Sequence, residues 1–212
     1  MSASNLIRWA GLSLVVTGVL LVVDPIIHPA DVPESIATNL WAIAHYLALG
    51  SLVFGLLGTV GLYARQVEEA GSLGLVGFLM LFVALALFTG LTFFEAFILP
   101  VLATEAPQFV GGLFAGEISF GALETVFPVA GLLESIGGLL FGIAIIRAGI
   151  LPRWAAIVFI IGIVSAGLGP LLPEVVHRIS DVVLGIGLAW LGYALWSERR
   201  EKASEPSPAM QS

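Results

Sequence analysis

His45, Glu95, Glu134 and Asp181 each stand inside a long run of apolar residues. A charged side chain at the centre of a bilayer costs roughly 3 kcal/mol on insertion scales, so such groups face a bundle interior or a water-filled space. The four are therefore the residues expected to line a polar cavity, and three kinds of chemistry suit them. Imidazole together with carboxylates binds zinc or iron, and the set for this would be His45, Glu95, His177 and Asp181. A carboxylate withdrawn from water can take up and release protons. Two carboxylates held close can act as general acid and base.

Each residue also has a plainer use. His45 sits beside Trp41 and Tyr46, in what reads as an aromatic belt at the membrane interface. His177 and Asp181, like Glu174 and Arg178, are four residues apart, and such pairs often do no more than steady a helix end. Asp24 precedes Pro25 and suits a turn among the headgroups. Glu95 and Glu134 are harder to dismiss: the first lies among Phe93, Phe94, Ala96 and Phe97, the second among Leu132, Leu133 and Ile136.

Recognisable motifs are otherwise missing. The sequence has no Gly-rich phosphate loop with its lysine, no H-E-x-x-H, no G-x-S-x-G and no cysteine. A haem held by two histidines inside the membrane would need a second deep histidine beside His45. No catalytic residue and no cofactor can be assigned. The net charge of −7 provides no basic stripe for nucleic acid.

The elements that must position these residues follow from composition. The chain is 58% hydrophobic and 11% charged, against about 45–50% and roughly 25% for a soluble domain. A span needs about 20 apolar residues, and continuous runs rather than alternating ones point to helices and not a barrel. The expected fold is an all-α, polytopic transmembrane bundle of six spans, at 6–27, 40–63, 73–102, 126–146, 151–172 and 175–196. Residues 1–197 form one domain, and 198–212 read as a disordered cytoplasmic tail. The first span reads as retained rather than as a cleaved signal, since Asp24-Pro25-Ile26-Ile27-His28 offers no small-residue cleavage site.

Lysine and arginine favour cytoplasmic flanks. Arg8, Arg65, Arg147, Arg153, Arg199, Arg200 and Lys202 fall on one side of the six-span topology and only Arg178 on the other. Both termini are thus expected in the cytoplasm, in a plasma membrane, with the polar residues gathered near the outer face. The connection 104–125 is long and apolar, with Phe109, Leu113 and Phe120 near one helical face, and is expected to cap the polar cluster as an interfacial segment. Small residues at spacings of four and three (Ala44, Ala48, Ser51 and Gly55; Gly131, Ser135, Gly138 and Gly142) mark packing faces, and hint that spans two and three are related to four and five.

Three readings of function follow: transport or permeation of a small solute, proton or cation through an outward-facing polar cavity; a membrane-embedded metal enzyme; or an accessory subunit. The first is preferred. The expected partners are the lipid bilayer and either a second copy or another subunit of a membrane complex.

Overall fold

The computed structural model describes residues 3–168, 171 and 173–204. Its elements are α1 (Ala3–Ile27), α2 (Pro33–Ile36), α3 (Asn39–Arg65), α4 (Val67–Phe93), a π-helical segment (Phe94–Ile98), α5 (Leu99–Glu105), α6 (Pro107–Phe114), α7 (Leu123–Ala148), α8 (Arg153–Gly167) and α9 (Glu174–Ser204). No strand occurs among the described residues.

Local chemistry sets the boundaries. The Thr38 hydroxyl accepts the Trp41 amide at 3.3 Å and caps α3. Gly71, at φ 58°, breaks the first turn of α4, so the apolar helix starts close to residue 73, as the sequence implies. Gly149 adopts φ 66° and ends α7 in the left-handed conformation that glycine takes without a Cβ penalty. Pro152 then precedes α8.

Five helical stretches are long and apolar enough to cross a membrane: Asn5–Ile27, Asn39–Arg65, Val67–Glu105, Leu123–Ala148 and Val175–Ser197. The fifth expected span, 151–172, forms the shorter α8 of 15 residues, a rod of about 22 Å against a hydrocarbon core of about 30 Å. Residues 169, 170 and 172 of that stretch lie outside the described ones. At the C-terminal end α9 continues as helix to Ser204, into the stretch read from sequence as a disordered tail; 205–212 lie outside the described residues.

The helices close into a ring. α1 packs between α9 and α3, then α3 meets α4, α4 meets α7, α7 meets α8 and α8 meets α9. Backbones approach closely between α1 and α9, which run antiparallel. A Cβ built on Gly185 would lie 2.6 Å from the Gly18 carbonyl oxygen, and one on Gly192 would lie 2.6 Å from that of Gly11. Only glycine permits this spacing, and close backbone packing is what holds helices together where the surroundings are as apolar as the side chains. On the outside, Leu57, Leu132 and Ile161 each expose more than half of their surface in mid-helix. An apolar exterior of this extent suits lipid, not water.

The ring is filled unevenly. At the end near the short connections 65–72 and 147–153, Leu62, Leu81, Phe141, Ile145, Phe159 and Leu191 pack into one buried cluster. At the other end a smaller cluster of Ile36, Trp41, Leu99 and Val110 draws in Phe94 and Phe120. The connection 104–125 thus folds back over that end, with Phe120 edge-on to Phe94 (5.2 Å) and Phe109 (5.7 Å).

Candidate functional site

The helix ends remote from the filled half of the ring surround a polar cavity of about 270 Å³. It is walled by Asp24, Pro25 and His28 from α1 and the turn after it, Asp31, His45 from α3, Glu95 from the π segment, Phe127 from α7, and His177, Arg178 and Asp181 from α9. Four carboxyl groups face one guanidinium here, and all three histidines of the chain take part.

His45 and Glu95 are placed by a backbone irregularity. Pro100 stands five residues after Glu95 and has no N–H to offer a widened turn. Within the π segment the Leu99 amide bonds the Phe94 carbonyl, leaving the Glu95 carbonyl without a main-chain donor. The Trp41 indole reaches across from α3 and donates to it at 2.9 Å. The same tryptophan stacks on His45, with ring centroids 4.1 Å apart. His45 Nδ1 lies 2.9 Å from the Trp41 carbonyl. A carbonyl only accepts, so Nδ1 carries the hydrogen, and Nε2 is turned toward Glu95 Oε2 at 3.8 Å. One turn of α3 thus fixes both the carboxyl-bearing helix and the imidazole that faces it.

The remaining wall is held from α9. Arg178 Nη1 donates to the Pro25 carbonyl at 2.8 Å and to that of His28 at 3.4 Å, satisfying terminal carbonyls of α1. His28 then lies 5.1 Å, ring to ring, from His45. His177 Nε2 is 3.9 Å from Asp181 Oδ2. Asp24 Oδ1 and His177 Nδ1 are buried without a hydrogen-bond partner.

Below this level lies a larger cavity of about 400 Å³, to which α1, α3, α4, α7, α8 and α9 contribute. It shares Asp24, Phe127, His177 and Asp181 with the upper one. Leu20, Leu21, Leu52, Phe88 and Leu184 make most of its wall apolar, with Ser51 and Thr92 as small polar exceptions. Glu134 lines it and also a recess of about 60 Å³ underneath, where Leu14, Leu81, Phe159 and Leu188 close the path.

The sequence-derived candidates are thereby sorted into two levels. His45, Glu95, His177 and Asp181 share the upper cavity, whereas Glu134 shares only the deeper one, with His177 and Asp181. As metal ligands the four stand as two pairs, His45 with Glu95 and His177 with Asp181, and no three His, Asp or Glu among the described residues are arranged to hold a metal ion. His28, Asp24, Asp31 and Arg178 were not among the residues picked for the cavity. Their position at the same helix ends was the available signal. No protein-family model, no curated protein and no solved structure matches this chain.

Proposed function

We propose that the chain is a six-span protein of the plasma membrane with both termini in the cytoplasm, and that it admits a small positively charged solute or proton from the outer face. The observation that carries this reading is the stepped cavity, entered through a mouth rich in carboxyl groups and ending at Glu134. Carboxyl-lined openings concentrate cations and repel anions. A site at mid-depth closed on one side by packed side chains is the arrangement of a carrier caught facing outward. The membrane placement is supported by the apolar exterior, to which α8 contributes Ile161 and Trp154. A short α8 is accommodated by local thinning of the bilayer. The metal-enzyme reading has less support, because the ligating groups stand in pairs.

The absence of cysteine makes the test direct. Ser51→Cys places one thiol in the wall of both deeper cavities. The expected result is modification by an impermeant trimethylammonium methanethiosulfonate applied to the outer face, at least about tenfold faster than by its sulfonate analogue. Equal rates for the two reagents, or reaction from the inner face only, would overturn the proposal.

A further inference from the structure

We infer that the deeper cavity is a binding site for an organic cation with an apolar body, its charge received by Glu134. This rests on the cavity being reached from outside, as proposed above, and adds to it the class of ligand. Glu134 is about nine-tenths buried, and no hydrogen bond or ion pair among the described residues engages its carboxyl. A buried polar group in a folded bundle ordinarily has a partner. Here the group lines a space bounded by α1, α3, α4, α7, α8 and α9.

The shape and lining of that space select the ligand. A volume of about 400 Å³ falls in the range of roughly 300–1,000 Å³ found for small-molecule sites. Between Asp24 and Asp181 above and Glu134 below, the wall is chiefly Leu20, Leu21, Leu52 and Leu184. A hydrated inorganic ion would meet a wall that is mostly apolar, with its carboxyl groups divided between the two ends, whereas calcium takes six to eight oxygen ligands together and magnesium keeps several waters. An alkyl or aryl group loses nothing by the exchange. Phe88 and Phe127 also stand in the wall, and aromatic faces attract alkylammonium groups. Asp24 and His177 stand in the wall at the upper end, beside a polar substituent of such a ligand.

The test uses the full chain carrying Ser51→Cys and the probe benzyltrimethylammonium. We expect the probe to slow modification of the thiol, and tetramethylammonium, which has the charge without the apolar body, to need at least about tenfold more for the same protection. Adding Glu134→Gln should weaken protection by benzyltrimethylammonium about tenfold or more, the size of one desolvated charge contact. Should that double variant fail to fold, the comparison of the two ammonium ions in the Ser51→Cys chain decides alone. Equal protection by the two ions, or unchanged protection in a folded Glu134→Gln variant, overturns the inference. So does a thiol that keeps its preference for cationic reagents yet gains no protection, an outcome that leaves the permeation reading standing. A thiol unreachable from outside removes both.

Discussion

Replacing Trp41 by phenylalanine removes the indole N–H together with the five-membered half of the ring system. The indole N–H is the donor for the Glu95 carbonyl, at 2.9 Å, and Trp41 is only 2% exposed, so water has little access to replace it. A buried carbonyl left unsatisfied costs about 1–3 kcal/mol, while interhelical hydrogen bonds in bilayers average about 0.6 kcal/mol with a ceiling near 1.7. The hydrogen bond alone therefore accounts for a loss of about 1–2 kcal/mol, or roughly 5- to 30-fold in the unfolding equilibrium, and the packing lost with the smaller ring adds to it. The cause makes a second forecast. Pro100→Ala returns an N–H to the π turn, giving the Glu95 carbonyl a main-chain donor. Trp41→Phe should then cost about 1 kcal/mol less in the Pro100→Ala background than in the wild type. Reversible unfolding of the four chains in bicelles measures both. A Trp41→Phe variant as stable as the wild type, or a cost unaltered by Pro100→Ala, refutes the account of how His45 and Glu95 are held together.

Gly192→Val should separate α1 from α9 and destabilise the bundle by several kcal/mol, because the new Cβ meets the Gly11 carbonyl oxygen at 2.6 Å. Gly90→Ala, where nothing lies within 4 Å, should be neutral or stabilising by up to about 1 kcal/mol; the same unfolding assay reads both. Arg178→Ala should lower stability by about 1–3 kcal/mol through loss of the donor to the Pro25 and His28 carbonyls, and Arg178→Lys should recover part of it. Glu95→Gln should leave membrane insertion intact and reduce the cationic preference of the Ser51→Cys thiol, since one of four carboxyl groups leaves the mouth.

Much of the architecture was legible in the sequence because the bilayer imposes a single length scale. Runs of apolar residues located the stretches Asn5–Ile27, Asn39–Arg65, Leu123–Ala148 and Val175–Ser197 to within three residues, and Val67–Glu105 to within six, and the spacing of Gly131, Ser135 and Gly138 correctly marked a packed face of α7, all three being buried. The α8 stretch was overestimated because hydropathy does not register where a helix stops, and the chain leaves helical geometry after Gly167. Topology alone put His45, Glu95 and Asp181 at one end and Glu134 deepest, about two turns inside its span, and Glu134 indeed lines only the deeper cavities. The π segment was not legible, since the departure from α-helical bonding depends on Pro100 and on Trp41 from another helix together. His28 and Asp31 were missed because a polar residue just past a span reads as loop, whatever it faces.

The six proposed crossings set the cavity mouth opposite the chain ends, and accessibility at two sites tests them. Between Asp31 and Lys202 the chain crosses five times if α8 spans the membrane and four times if it does not. In intact cells carrying Asp31→Cys or Lys202→Cys singly, an impermeant thiol reagent should label the first from outside and the second only after permeabilisation. Labelling of both from the same side would contradict the six-span topology and, with it, a cavity that opens away from the termini.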